Sequence, residues 1–157
     1  MFTVRIQSAP FDAACEAAAL SDGRQDVGAL VTFTGLCRAD DAAPEAGGRL
    51  VALTLEHYPG MAEEEIARHV EEARRRWPLM GATVIHRHGR IVPGEPIVLV
   101  VTASAHRGAA FAAAEFLMDW LKTSAPFWKQ EEREAATGWV DAKAADDDAA
   151  GRWDPLP

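Results

Sequence analysis

Two pairs of β-rich segments, each with a short connection, limit what this chain can fold into. The first pair is VGALVTFTGLCR (27–38) and RLVALTLEHY (49–58), separated by ADDAAPEAGG (39–48). The second is GATVIHRHG (81–89) and EPIVLVVTASA (95–105), joined around Pro93-Gly94. Parallel neighbours need a crossover of a dozen or more residues, usually through a helix. Neither connection supplies one, so neither pair is a parallel crossover. EPIVLVVTASA is apolar on both faces, which predicts a central strand. The pattern points to an α+β fold with mainly antiparallel pairing.

The other segments complete the order strand-helix-strand-strand-helix-strand-strand-helix-strand. FTVRIQ (2–7) alternates as a strand does. FDAACEAAAL (11–20) follows Pro10 and is alanine-rich, so it reads as a short helix. ADDAAPEAGG has no periodicity and reads as a mobile loop. PGMAEEEIARHVEEARRRW (59–77) is the clearest helix, with Ile66, Val70, Ala73 and Trp77 on one face. Glu63, Glu64 and Glu65 near its start and Arg74, Arg75 and Arg76 near its end match the helix dipole. Glu64–Arg68, Glu71–Arg75 and Glu72–Arg76 are spaced to pair at i,i+4, the mark of a solvated helix face. GAAFAAAEFLMDWLKTSA (108–125) predicts a third helix, with Phe111, Ala114, Met118 and Leu121 buried and Pro126 as its stop. TGWVDAK (137–143) reads as a short strand. No repeat or linker divides the chain, so residues 1–157 form one domain with an acidic tail from about 144 to 157.

Charge and cysteine usage exclude several function classes. The formal charge of −8 argues against nucleic acid as a partner. Part of that excess lies in DAKAADDDAA (141–150), which carries Asp141, Asp146, Asp147 and Asp148 against Lys143. No run approaches the length of a membrane span, and the N-terminus lacks a signal-peptide pattern. The expected compartment is the cytoplasm. Cys15 and Cys37 make no disulfide framework and read as free thiols. His86 and His88 in HRHGR would share a strand face but lack a third ligand, so no metal is expected. His57 and His69 read as packing or surface residues.

Lysine is used sparingly. There are three lysines against thirteen arginines, and Lys122 and Lys129 flank a Pro-Phe-Trp corner in LKTSAPFWKQEE. A reversal at Pro126 lets both ammonium groups approach one spot, with Phe127 and Trp128 as apolar walls. A desolvated lysine loses its proton far more readily than arginine does, so such a pair can move protons near neutral pH. The plainer alternative is that Lys122 caps a helix end and Lys129 is solvated. In TASAHRGAAF, His106 and Arg107 stand where a strand passes to a helix, a place suited to an anion. The alternative there is an ordinary connection with a surface arginine. In TFTGLCR, Gly35 and Arg38 at a strand end could admit and hold a charged ligand. Cys37 is a thiol with no evident base.

TFTGLCR, LTLEHYPGM, RWPL, VIHRHGR, TASAHRGAAF, DWLKTSAPFWKQE and WVDAK occur in an order that resembles the large, catalytic subunit of molybdopterin synthase. The likeness runs from about residue 27 to Trp153. It implies an α/β hammerhead fold and a sulfurtransferase of molybdenum cofactor biosynthesis. Such an enzyme converts cyclic pyranopterin monophosphate to molybdopterin, with sulfur from the C-terminal thiocarboxylate of a small ubiquitin-like subunit. It implies a homodimer of large subunits at the core of a heterotetramer, and no cofactor. Lys122 and Lys129 match the family's active-site lysines, Lys122 as principal acid/base and Lys129 in support. Arg38, His106 and Arg107 match substrate-binding positions, the arginines on phosphate. Leu36, Cys37, Gln130 and Glu131 match positions lining the site, partly through backbone. Where this chain has Lys143 the family tends to have arginine, so its place in the site is a departure.

A helix over 108–122 separates its ends by about 21 Å. His106-Arg107 and Lys122 of one chain then cannot meet on one small ligand. The expectation is a site at a two-fold interface, with His106 and Arg107 supplied by the neighbour. Two rivals stand beside the enzyme: a non-catalytic anion-binding module of the same fold, and a sulfurtransferase that works through the Cys37 thiol.

Overall fold

The computed structural model describes residues 1–39, 47–140, 149 and 151–153. The chain runs β1 (Phe2–Gln7), α1 (Ala13–Ser21), β2 (Ala29–Leu36), β3 (Leu50–His57), α2 (Met61–Arg76), β4 (Leu79–Arg87), β5 (Gly89–Ile91), β6 (Pro96–Ser104), α3 (Arg107–Thr123), β7 (Phe127–Arg133) and β8 (Thr137–Val140). The strands form two four-stranded sheets, ordered β1-β4-β6-β2 and β5-β3-β7-β8. Among the described residues only β1 and β4 pair in parallel; the other ladders are antiparallel. The α+β class, the mainly antiparallel pairing and the three helices agree with the expectation.

β6 is central in its sheet, between β4 and β2. Its alternation explains why both faces are apolar. Val98 and Val100 point into the core beneath α2 and α3, with Ile66, Val70, Ala113 and Leu117. Leu99, Val101 and Ala103 point the other way, onto Leu20 of α1 and Ile85. A strand covered on both faces has no solvent side on which to place polar residues.

The second sheet was not anticipated. β2 and β3 do not pair; each joins a different sheet. Two strands were also missed. β5 is three residues long and starts at Gly89, whose φ of +84° suits glycine. β7 reads FWKQEER, too charged to announce a strand, yet it is paired on both sides, with β3 and β8. Its hydrogen-bonding neighbours, rather than its own propensity, make it a strand.

The helices follow local signals with small corrections. Asp12 caps α1 by accepting from the N–H groups of Ala14 and Cys15. Glu63 reaches back to accept from the Gly60 N–H at 2.8 Å and so starts α2. Of the expected α2 ion pairs only Glu72–Arg76 forms at i,i+4. Arg68, Arg74 and Arg75 instead reach Glu65, Glu71 and Glu72 at i,i+3. Both spacings bring side chains together on a helix, and these exposed pairs are worth only a few tenths of a kcal/mol, so neither geometry is strongly preferred. On α3 the buried stripe is Ala110, Ala113, Ala114, Leu117 and Leu121, flanked by Phe116 and Trp120. Phe111 lies about 100° off Ala110 and is 61% exposed, contrary to expectation. His69 is a packing residue, stacked on Trp120 at 3.6 Å. The loop 39–48 and the acidic tail fall largely outside the described residues.

Candidate active site

The turn from α3 into β7 builds one side of a cavity. Proline cannot extend α3, and Ser124 closes it with its N–H donating to the Trp120 carbonyl at 2.9 Å. Ala125 and Pro126 then lead into β7, where Lys129 lies opposite Leu55 of β3 and Val140 of β8. Phe127 and Lys129 are two apart and share one face of β7. That face and the last turn of α3 border a cavity of about 420 Å³, which both Lys122 and Lys129 line. Both lysine residues are exposed, so the ammonium groups stand at its open side rather than deep within it. Trp128 points to the other face of β7, is 49% exposed and does not line the cavity. Of the two expected aromatic walls, only Phe127 serves.

The opposite wall comes from β2 and β6. The β2–β6 register slips between Gly35 and Leu36. A Cβ on Gly35 would lie 2.6 Å from Val98 Cγ1, so only glycine lets the strands close up there. The slip lets Leu36 line the cavity although β2 ends with it. Phe33 and Met118 add to the apolar lining, with Leu53 and Leu55 of β3. Their neighbours flagged the region in the sequence, but hydrophobic residues carry no signal of their own for a site.

His86 is a further lining residue that sequence reasoning did not place here. Its ring stacks on Phe127 at 3.9 Å with planes 17° apart. Its Nδ1 lies 2.8 Å from the Arg87 carbonyl oxygen, which can only accept, so Nδ1 carries the proton. Burial holds its pKa down to about 4, helped by the charges of His57, Lys122 and Lys129. His86 is therefore neutral at pH 7. Its neighbour Arg87 is buried and tied to the carbonyls of Ser8 and Pro96, which locks the strand end.

The remaining predicted residues are spread out. Cys37 is 3% exposed and packs with Leu50, Leu53, Leu55 and Ile91. Its backbone N–H donates to Glu95 and its carbonyl accepts from Gly94, so neither side chain nor backbone is turned to the cavity. Arg38 follows, exposed. Gln130 and Glu131 continue β7 past the cavity, and the Glu131 carboxylate is held by Arg133 at 2.6 Å. His106 is the N-cap of α3 and Arg107 its first residue, both exposed, at the end of the helix opposite Lys122. One chain does not bring these two to the lysines. Lys143 lies outside the described residues. Among those residues no group of three or more histidine, cysteine or acidic side chains could hold a metal ion. A second cavity of about 500 Å³ lies between α2 and α3, but it contains neither lysine. Arg68, Arg75 and Arg76 on its rim are paired with Glu65 and Glu72.

Comparison with known proteins decides the family. A family model described as "MoaE protein" matches residues 6–124. The chain belongs to the MoaE family. It is 63% identical over 153 residues to a molybdopterin synthase catalytic subunit of Mesorhizobium japonicum, covering 96% of this chain and 92% of that one. Its structure superposes on the molybdopterin biosynthesis MoaE protein of Burkholderia ambifaria with a TM-score of 0.80, at 45% identity and 98% coverage of both chains. At 19% identity, a Helicobacter pylori complex of subunits 1 and 2 of molybdopterin-converting factor shares the fold, with a TM-score of 0.68 over 88% of this chain and 90% of that one. No described helix of this MoaE-family chain is long and apolar enough to cross a membrane.

The depressed His86 pKa carries a stability signature. The unfolded histidine titrates near 6.5 and the folded one near 4. Between those values the unfolded chain binds the extra proton. Stability is therefore full above about pH 6.5 and falls as the pH drops toward 4, by up to about 3 kcal/mol. Carboxylates held low by arginines, such as Glu72, lose their contribution at lower pH in wild type and variant alike. Urea unfolding at several pH values should show His86→Phe lacking most of the loss between pH 6.5 and 4.

Proposed function

We propose that this chain is the catalytic subunit of a molybdopterin synthase. It takes sulfur from the C-terminal thiocarboxylate of a small ubiquitin-like subunit and installs it on a cyclic pyranopterin monophosphate. The observation that carries this reading is the placing of Lys122 and Lys129 on one cavity, at the α3–β7 turn of a MoaE-family chain. The small-subunit partner has support in the Helicobacter pylori structure of the same fold, which is itself a complex of two subunits.

The chemistry needs charge compensation and proton movement. The sulfur donor and the phosphate are both anions, while the chain as a whole carries −8. Two ammonium groups at the cavity mouth give the local field the opposite sign and draw both reactants in. The thiocarboxylate sulfur attacks a pterin side-chain carbon, forming a C–S bond. The displaced oxygen leaves as it takes a proton. Water then cleaves the acyl–sulfur bond, which returns the carrier terminus as a carboxylate. Lys122 supplies and recovers the proton. Lys129 offsets the negative charge that builds up on the displaced oxygen. Arginine could not exchange a proton in this role.

The phosphate falls to Arg38 and to the start of α3. The first turn of that helix has no acidic residue and no side-chain cap, which leaves its N–H groups for an anion beside Arg107. Because α3 separates Arg107 from Lys122, His106 and Arg107 reach the cavity from a second copy of the chain across a two-fold axis. Leu36 forms part of the pterin wall. Gln130 and Glu131 shape the outer edge, where the carrier terminus enters. The Cys37 thiol is enclosed in the core and is poorly placed to carry sulfur.

Lys122→Ala, assayed with thiocarboxylated small subunit and cyclic pterin, should lower kcat for dithiolene formation by about 10²-fold or more, with small-subunit affinity little changed. A loss of binding with no reaction to lose would favour a non-catalytic anion-binding module. Hybrid dimers of Lys122→Ala and Arg107→Ala chains test the shared site. Each hybrid has one intact site if the residues come from opposite chains, so a random mixture should regain roughly a quarter of wild-type activity. A mixture as inactive as its parents would place both residues in one chain's site.

A further inference from the structure

His86 supplies what the two lysines cannot. Ammonium groups donate hydrogen bonds and accept none. The Thr123 hydroxyl donates to the Asp119 carbonyl at 2.9 Å, so its oxygen can still accept, but it rotates with its side chain where the stacked His86 ring does not. The His86 ring is fixed by three contacts: stacking on Phe127, the Nδ1 bond to the Arg87 carbonyl, and a strand that is buried from Gly81 to Arg87. With Nδ1 protonated, Nε2 carries a lone pair. No sealed side-chain nitrogen or oxygen among the described residues lacks a hydrogen-bond partner. Among the described residues Nε2 has no hydrogen-bond partner, so it is not sealed, and the cavity that His86 lines is the one bordered by Lys122 and Lys129.

We propose that His86 Nε2 is a substrate contact: a fixed acceptor that takes a hydrogen bond from a ring N–H of the bound heterocycle and so selects its orientation. The inference rests on the pterin reading above and deepens it. The pyrimidine end of a pyranopterin is flat and has N–H donors on its edge, while the cyclic phosphate at the other end is an acceptor drawn to cations. A cavity with lysines at its mouth and an unprotonated imidazole on its wall reads those two ends of the molecule differently. Protonation of His86 would remove the acceptor and place a third cation beside the lysines. Burial on β4, together with the charges of Lys122 on α3, Lys129 on β7 and His57 on β3, opposes that. The Arg87 guanidinium on the same strand faces Ser8, Pro96 and Glu95 instead.

The test compares His86→Phe with His86→Gln in the assembled enzyme, using thiocarboxylated small subunit and cyclic pterin. Phenylalanine keeps the stack on Phe127 and removes the acceptor. Glutamine restores an acceptor near the Nε2 position and a donor for the Arg87 carbonyl. His86→Phe should raise the KM for the pterin about tenfold, with kcat and small-subunit affinity changed far less. His86→Gln should recover KM to within about threefold of wild type. Should His86→Phe fail to fold, His86→Leu takes its place in the same comparison. An unchanged KM in the apolar variant, while wild type turns over, would overturn the inference alone. Equal rises in KM for the apolar variant and His86→Gln would also overturn it, by assigning the effect to ring packing. No turnover by wild type would overturn the functional reading itself.

Discussion

Everything at the site depends on a three-residue connection, Ser124 to Pro126, between a helix packed on one sheet and a strand belonging to the other. α3 is committed to the first sheet through Ala113, Leu117 and Leu121. β7 is committed to the second by its ladders with β3 and β8. So short a link leaves the two sheets little freedom to move apart at this point. The cavity is the space they leave between them. Lys122 stands on the helix side of the link and Lys129 on the strand side, so the link itself brings the two charges together.

This arrangement explains why a pocket for anions can exist on an acidic protein. The net charge of −8 is a property of the whole surface. Around the cavity the balance is local: two lysines at the mouth, a neutral His86 on the wall, and apolar residues of β2, β3 and β6 behind them. Glu131, the acidic residue nearest in sequence to Lys129, is turned to Arg133 rather than to the lysines. An anion that passes from the exposed mouth onto the apolar walls leaves water behind, which strengthens the lysines' pull on it there.

Much of this was legible before any coordinates. β6 announced its central place by being apolar on both faces, and α2 announced its ends by Glu63 and its terminal arginines. The lysine pair stood out because arginine carries positive charge almost everywhere else. What could not be read depended on distant partners. FWKQEER is a strand only because β3 and β8 hydrogen-bond to it on either side. β2 and β3 go to separate sheets, and a connection's length excludes a crossover without saying whether its ends pair. By apolar character Trp128 reads as a wall of the lysine pocket and Phe111 as buried, but strand alternation and helical angle turn both outward. In sequence His86 suggests a metal ligand because His88 lies beside it. Its actual neighbour, Phe127, is more than forty residues away.

The central claim, that the cavity at the α3–β7 turn receives the carrier's terminus, is tested most directly by zero-length carboxyl-to-amine crosslinking of the small subunit to this chain, read by peptide mass spectrometry. The only amines on the chain are its amino terminus and three lysines. The account predicts a bond from the carrier's terminal carboxylate to Lys122 or Lys129, suppressed when the cyclic pterin is present. Crosslinks confined to the amino terminus or to Lys143, and indifferent to the pterin, would contradict it.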